Sequence, residues 1–242
     1  EEILERVDAL IEEAFRTLAP FLRGSQWKVE RQNFSALTTK AALAWRDALE
    51  ALGAEVLAAE EWLAGEWGGI AIHGQTDLVL GLPGNRLLVV DYKRAKSGKR
   101  LTQMQKGFDS QASLYRAMIA TGGPKNPQRA ELGARLKAAS ATGVVYYLLN
   151  DQKVLSDAAF PETAAVPGWR TLGNDIAAEA LALIGQRIEG IRAGRIRLNR
   201  AGDREFFEKK AGVTPYALEV SPLITLFSLP EEDEEDEEGE ES

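Results

Sequence analysis

Residues 74 to 93 read GQTDLVLGLPGNRLLVVDYK, and this stretch decides the fold. Two runs rich in Val and Leu flank the turn sequence LPGN at 82 to 85, which predicts two strands joined as a hairpin. The hairpin loop covers either residues 83 to 85 or residues 82 to 86. Both loops give the same register, in which Asp77 lies directly opposite Asp91.

The charged residues of this hairpin predict a metal site. Directly opposed residues have Cβ atoms about 4.5 to 5.5 Å apart, where two carboxylates repel each other unless a cation lies between them. Oxygen ligands from Asp77 and Asp91 suit Mg²⁺ or Mn²⁺ better than zinc. Lys93 lies on the same strand face as Asp91, about 6.6 Å along the chain, where its ammonium could stabilise a phosphate. In outline this is a site for phosphodiester hydrolysis.

Each part of the pattern also has a plain structural interpretation. An Asp-x-Lys triplet such as Asp91 to Lys93 is expected by chance in a chain of ordinary composition, usually as an exposed ion pair. Gln111 and Tyr115 are four residues apart on one helix face, where they could form an ordinary half-buried pair. The combination of these features favours the functional interpretation over the structural one.

The hydrophobic patterns on either side of the hairpin predict one α/β core domain with helical additions at both ends. The predicted order is helix, three strands, helix, strand, and the apolar run at 142 to 149 is typical of a strand buried on both faces of a mixed sheet. The predicted strands cover 55–63, 70–80, 86–92 and 142–149, and the predicted helices cover 2–19, 35–52, 101–120, 127–139 and 173–193. The predicted regions are a helical N-terminal region at 1–53 packing on the core, the core at 54–200, a C-terminal extension at 201–230 and an acidic tail at 231–242.

The composition excludes several kinds of site. The chain has no cysteine, which excludes disulfides, thiolate zinc sites, iron-sulfur clusters and a cysteine nucleophile. Its one histidine, His73, excludes a metal site built on several histidines. No apolar run approaches the roughly 20 residues of a membrane span, so no membrane partner is expected. The start at Glu1 without a signal peptide predicts a fragment of a longer cytoplasmic protein.

The net charge of −8 comes from the C-terminus. Residues 231 to 242 hold 10 of the 37 acidic residues, which leaves 27 acidic against 29 basic residues in the rest of the chain. We expect this acidic block to be a disordered tail, with competition for a nucleic-acid groove as the alternative. The basic residues beside the hairpin predict a flexible loop that contacts a phosphate backbone. They are Arg94, Lys96, Lys99 and Arg100.

The motifs together resemble the PD-(D/E)XK nuclease superfamily, in particular the branch of the RecB and AddB nuclease domains. The resemblance covers about residues 55 to 150. It rests on G-x-x-D at 74–77, V-V-D-Y-K at 89–93 and Q-x-x-x-Y at 111–115. It implies a restriction-endonuclease-like αβββαβ core with a mixed sheet flanked by helices.

The resemblance also implies roles for individual residues. Asp77 and Asp91 would bind Mg²⁺ or Mn²⁺ together with the backbone carbonyl of Tyr92, and Lys93 would be catalytic. Gln111 and Tyr115 would line the active site from the next helix. An acidic ligand on the preceding strand could be Glu60 or Glu61, of which we favour Glu61. The chain departs from its apparent relatives in two ways: it lacks a histidine upstream of His73 and the cysteines of an iron-sulfur cluster.

The leading functional hypothesis is a Mg²⁺-dependent deoxyribonuclease, an exonuclease of a RecB- or AddB-like DNA repair or recombination system. Its partners would be DNA and a helicase on the same or another chain. The alternative is a catalytically inactive module of the same fold that binds DNA or a helicase. A third hypothesis is a hydrolase of RNA or nucleotides with a similar site.

Overall fold

A mixed sheet of seven strands organises the chain in the computed structural model, which describes residues 2–107, 109–173, 175–195 and 205–211. The strands are β1 (Glu55–Trp67), β2 (Ile70–Leu82), β3 (Arg86–Lys93), β4 (Gly123–Pro124), β5 (Ala141–Leu148), β6 (Lys153–Ser156) and β7 (Trp169–Thr171). Their order across the sheet is β4-β1-β2-β3-β5-β6-β7. The pairs β3–β5 and β6–β7 are parallel, and the others are antiparallel. The mixed sheet confirms the predicted fold class.

The described residues also form helices. They are α1 (Glu2–Thr17), α2 (Lys28–Leu52), α3 (Ser97–Gln105), α4 (Gln111–Thr121), α5 (Ala130–Ala138) and α6 (Asp175–Arg192). Helices α3 to α5 form the crossover that a parallel pair such as β3–β5 requires. The single helix predicted over 101–120 is wrong, because the chain breaks between α3 and α4 with Gly107 in the left-handed region at φ 70°. The short strands β4, β6 and β7 were not predicted.

Apolar residues of β3 alternate between two core clusters. Leu87 and Val89 face the side of the sheet covered by α4, and Leu88 and Val90 face the side covered by α2. We call these sides the α4 face and the α2 face. All four side chains are at most 1% exposed. Because both faces are covered, the strand reads as a continuous apolar run rather than an alternating one.

The register of the β2–β3 hairpin is the predicted one. The pairs run from Leu82↔Arg86 to Leu78↔Val90 and stop one residue short of Asp77 and Asp91. Asn85 completes the turn in the left-handed region at φ 57°, and its side-chain amide donates to the Ala138 carbonyl at 2.6 Å. The loop length therefore fixed the pairing of these residues, and the predicted pair of Asp77 with Asp91 is not part of the ladder.

The chain divides into two compact units, residues 1–181 and 182–242. The second unit contains the end of α6 and a short helical segment at Phe206–Ala211. Of the predicted C-terminal extension at 201–230, only residues 205–211 are described, and the acidic tail at 231–242 lies outside the described residues. The domain limits given above stay predictions. None of the helices described here is both long and apolar enough to cross a membrane.

Candidate active site

The β2 strand is irregular around Asp77. Val79 faces α4 and Leu78 faces α2, as expected for alternating side chains. A side chain at Gly74, five residues before Val79, would nevertheless meet Tyr115 and Met118 of α4. The alternation therefore shifts by one residue between positions 74 and 79.

The neighbouring strand β1 carries the matching irregularity. The β1–β2 pairs stop at Ala59↔Leu78 and resume at Glu61↔Thr76, so Glu60 and Asp77 stand outside the ladder. Glu60 has φ 50°, a left-handed conformation that is rare for a residue with a side chain. Residues held in such sparsely populated conformations cluster at functional sites. Here the unusual residue Glu60 lies across the strand pair from Asp77.

Side chains replace backbone hydrogen bonds where β2 and β3 separate. The Asp77 carboxylate accepts a hydrogen bond from the Tyr92 amide at 2.6 Å, and the Thr76 hydroxyl donates to the Val90 carbonyl at 3.1 Å. These two bonds hold Asp77 against the end of β3. The structure thus joins Asp77 to the residue that follows Asp91.

Asp91 is a buried carboxylate whose two oxygens have different partners. Its side chain is 5% exposed, and Oδ1 accepts a hydrogen bond from Gln111 Nε2 at 2.7 Å. Lys93 Nζ forms an ion pair with Oδ2 at 2.5 Å, and the described residues give Oδ2 no further hydrogen bond. Burial raises the pKa of Asp91; the Lys93 ammonium opposes this rise, and the Asp77 charge adds to it.

Tyr115 ties helix α4 to both carboxylate strands. Its hydroxyl donates to the Gln75 carbonyl at 2.5 Å, accepts from Gln111 Nε2 at 3.0 Å and lies 3.5 Å from Asp91 Oδ1. Burial raises the pKa of Tyr115 to about 12, so the hydroxyl stays protonated at neutral pH. The structure therefore brings Asp91, Lys93, Gln111 and Tyr115 together.

Asp109 anchors the start of helix α4. Its buried carboxylate accepts hydrogen bonds from the Tyr146 hydroxyl at 2.7 Å, from the Gln111 amide at 3.2 Å and from the Arg100 guanidinium. The Tyr146 hydroxyl in turn accepts from the Ala112 amide at 3.0 Å. Sequence reasoning missed Asp109 and Tyr146. An Asp two residues before Gln111 is a signal for this turn, because Asp side chains commonly accept from an amide two residues on.

Glu61 does not join the two aspartates. Its carboxylate binds Arg129 Nε at 2.9 Å, and no group of three His, Cys, Asp or Glu residues lies close enough to hold a metal within the described part of the chain. The structure therefore gives Glu61 a salt bridge. The backbone carbonyl of Tyr92 stays a predicted ligand, while its ring packs against Trp45 and Tyr147.

The predicted nucleic-acid residues fall into two groups. Arg94, Lys96 and Lys99 are exposed, whereas Arg100 pairs with Asp109 and lies 4.9 Å from the Tyr146 ring centroid. The expectation of a flexible loop over 94–100 is wrong in part, because α3 begins at Ser97.

The donor set fits a divalent cation. Asp91 Oδ2 is buried without a hydrogen-bond partner among the described residues, and a second carboxylate is anchored at the end of the adjacent strand. The Lys93 ammonium pairs with this oxygen, and a divalent cation would also compensate the charge of the second carboxylate. Oxygen ligands of this kind suit Mg²⁺ or Mn²⁺.

The mixed sheet thus presents two carboxylates and a lysine at one end of its central hairpin, with Gln111 and Tyr115 contributed by the next helix. A family model of the PD-(D/E)XK nuclease superfamily matches residues 1–203. The chain belongs to the PD-(D/E)XK nuclease superfamily, as its motifs predicted. A search of curated proteins gave no match.

Proposed function

We propose that this chain is a Mg²⁺-dependent deoxyribonuclease of the RecB and AddB kind, which removes nucleotides from DNA ends during repair or recombination. The environment of Asp91 carries the proposal. One oxygen is held by Gln111, while the other faces Lys93 and has no hydrogen-bond partner among the described residues. Asp91 is thus fixed by Gln111 at one oxygen and by the Lys93 ammonium at the other, and Asp77 is anchored at the end of the adjacent strand.

The residues around Asp91 divide the chemistry between them. Bound by Asp77, Asp91 and the Tyr92 carbonyl, a divalent ion would supply Lewis acidity toward the phosphate. Gln111 and Tyr115 orient the Asp91 carboxylate through Oδ1, so that Oδ2 faces Lys93. The Lys93 side chain is 25% exposed, so its ammonium can reach solvent and stabilise negative charge that develops on a phosphate.

The surroundings of the site support a polyanionic substrate. Arg94, Lys96 and Lys99 are exposed beside Lys93 and could neutralise backbone phosphates without reading sequence. A helicase on the same or another chain would supply the unwound DNA. The exonuclease assignment, the helicase partner and the cytoplasmic location are parts of this proposal.

Cleavage of labelled DNA by the purified protein tests the assignment. We expect degradation of linear DNA in Mg²⁺ or Mn²⁺ and none in EDTA, and Lys93→Ala should lower kcat about 10²- to 10³-fold. Lys137→Ala is the matched control, because Lys137 is an exposed lysine on α5, and its activity should equal that of the wild type. Equal cleavage by wild type and Lys93→Ala would overturn the assignment.

The same assay separates the competing functions. Salt-sensitive DNA binding without metal-dependent cleavage would identify the inactive module instead. Preferred cleavage of RNA or nucleotides would identify the third candidate. Persistence of a circular single strand while a linear one is degraded would support the exonuclease, whereas cutting of the circle would replace it with an endonuclease.

A further inference from the structure

Tyr146 is a buried aromatic residue directly beside the proposed site. It pairs with Asp91 in the parallel β3–β5 ladder, and residues paired in this way direct their side chains to the same face of a sheet. Tyr146 is fully buried and belongs to the core cluster on the α4 face. It therefore lies on the face from which α4 brings Gln111 to Asp91.

The ring of Tyr146 contacts the proposed catalytic lysine. Lys93 Nζ lies 5.9 Å from the ring centroid, within the range in which an ammonium is attracted to the face of an aromatic ring. The same ammonium forms the ion pair with Asp91. A lysine side chain has a flexible stem of four carbons, and ordering it costs conformational entropy. Two partners on neighbouring strands therefore restrict where the Lys93 ammonium can lie.

The hydroxyl of Tyr146 binds the first turn of α4. It donates to Asp109 Oδ1 at 2.7 Å and accepts from the Ala112 amide at 3.0 Å. The first amides of a helix have no acceptor within the helix. Tyr146 supplies the acceptor for Ala112, and Asp109 supplies the one for Gln111 at 3.2 Å. The backbone of Gln111 is therefore held in place from strand β5.

The link between β5 and α4 is buried and charged. The Asp109 side chain is 2% exposed, and the Arg100 guanidinium pairs with it. Arg100 also lies 4.9 Å from the Tyr146 ring centroid. Because a buried polar group is costly to leave unpaired, these contacts resist rearrangement. Arg100 was expected from sequence to bind nucleic acid, and here it reinforces the link instead.

We propose that Tyr146 is a positioning residue that holds Lys93 with its ring and, through Asp109 and the Ala112 amide, holds Gln111 with its hydroxyl. It acts through these residues and does not touch the substrate. This inference rests on the proposed function, because it assigns Tyr146 a part in the chemistry of Lys93. One side chain of β5 thus fixes a residue of β3 relative to a residue of α4.

Two substitutions of Tyr146 separate the ring from the hydroxyl. Tyr146→Phe keeps the ring, and kcat should fall about 10-fold; Tyr146→Leu removes both groups, and kcat should fall about 100-fold. KM for DNA should change by less than about twofold, because the exposed basic residues are unaltered. Urea denaturation measures the folded fraction of each variant, and Tyr146→Phe carries the test if Tyr146→Leu does not fold.

Tyr147→Phe is the matched control. Tyr147 is the next residue of the strand, is 2% exposed and lies in the core cluster on the α2 face. Its hydroxyl donates to the Ala41 carbonyl at 2.6 Å, so the variant also loses a buried hydrogen bond. Its kcat should equal that of the wild type. Equal losses of kcat in Tyr146→Phe and Tyr147→Phe would overturn the positioning role.

Paired substitutions distinguish positioning from a general loss of stability. In a Lys93→Ala background, Tyr146→Leu and Tyr146→Phe should have equal kcat, because no ammonium remains for the ring to hold. In a Gln111→Ala background, Tyr146→Phe should cause no further loss. Independent effects would instead multiply in both backgrounds. Such multiplication would overturn the positioning role.

NMR in EDTA tests the same contacts without catalysis. With ¹³C-labelled lysine, the Cε protons of Lys93 are assigned by their loss in Lys93→Ala. The ring should shift them upfield in wild type, Tyr146→Phe and Tyr147→Phe, and the shift should disappear in Tyr146→Leu. Hydrogen exchange of the Ala112 amide should be about 3- to 10-fold faster in Tyr146→Phe and unchanged in Tyr147→Phe.

The outcomes separate the two proposals. Both NMR results in a chain that does not cleave DNA in Mg²⁺ or Mn²⁺ would support the contacts of Tyr146 and contradict the nuclease assignment. Cleavage that depends on Lys93, with kcat unchanged in Tyr146→Phe and Tyr146→Leu, would support the nuclease and overturn the positioning role. A Lys93 signal that is the same in wild type and Tyr146→Leu would also overturn it.

Discussion

The two ends of the β2–β3 hairpin satisfy their backbone hydrogen bonds in different ways. At the turn end, backbone pairs continue to Leu82↔Arg86, and the Asn85 side chain fastens the loop to Ala138. At the open end, the pairs stop at Leu78↔Val90, and the Asp77 side chain takes over the bond to the β3 backbone. One end is a regular backbone ladder, and the other buries a carboxylate whose Oδ2 is paired with the Lys93 ammonium.

This difference indicates where the chain gives up stability for function. Buried polar groups in stable regions are normally paired, and an unpaired one costs free energy. The open end buries the charge of Asp91, while the Leu and Val residues of the regular part contribute apolar burial. Substitutions at the two ends should therefore act on different properties.

The largest expected effect is the loss of catalysis on changing Asp91 to Asn. The amide keeps the size of the side chain but removes the charge that a cation needs, so kcat should fall about 10³-fold or more. The melting temperature in EDTA should stay the same or rise, because a buried charge is removed and Lys93 can turn to solvent. A large loss of stability with normal kcat would contradict the division between the two ends.

The converse substitution lies in the regular part of the hairpin. Leu88 is fully buried on the α2 face, and Leu88→Ala should lower the free energy of unfolding by about 2–5 kcal/mol. The kcat of the folded fraction should be unchanged, because Leu88 faces away from α4. Urea denaturation and cleavage assays at low temperature check both expectations. A fall in kcat as large as that of Asp91→Asn would contradict the expectation that the regular part of the hairpin determines stability and not catalysis.

The smallest expected effect is the difference in stability between substitutions at two residues that adopt the left-handed backbone conformation. Glu60 and Asn85 have φ values of 50° and 57°, but only Asn85 uses its side chain to bind a backbone carbonyl. Glu60→Gly should raise the free energy of unfolding by about 0.5–1 kcal/mol, since glycine removes the steric cost of this conformation. Asn85→Gly should lower it by about 1 kcal/mol through loss of the hydrogen bond. Paired urea titrations measure the difference, and equal shifts would show that Glu60 is unstrained.

The sequence was sufficient to predict the parts of the site that depend on local order. The loop at 83 to 85 set the hairpin register, which the structure confirms, and helical spacing correctly predicted that Gln111 and Tyr115 share a face. The irregularity at Glu60 and Asp77 was out of reach, because it shifts two strands together without a glycine or proline to mark it.

Contacts between distant residues also escaped prediction. Glu61 forms its salt bridge with Arg129, and Asp109 its hydrogen bond with Tyr146, because the crossover brings α4, α5 and β5 back to the sheet. The sequence around Glu61 gives no indication of a cation 68 residues away. The prediction of a single helix over 101–120 was wrong for a related reason. Asp109 is anchored by Tyr146 on the distant strand β5, and the chain breaks there into α3 and α4.

The parallel pairing of β3 with β5 determines when the site becomes complete during folding. Strands β1, β2 and β3 follow one another and pair through short turns, so Asp77 and Asp91 can meet early. Parallel pairing over Arg86↔Ala141 to Lys93↔Leu148 must wait for the whole crossover, and distant pairings of this kind form slowly. We expect the side chains of Gln111, Tyr115 and Tyr146 to reach the site when this parallel pair forms. We therefore expect the newly made chain to hold its carboxylates together before it can use them, and to gain activity only when α4 docks.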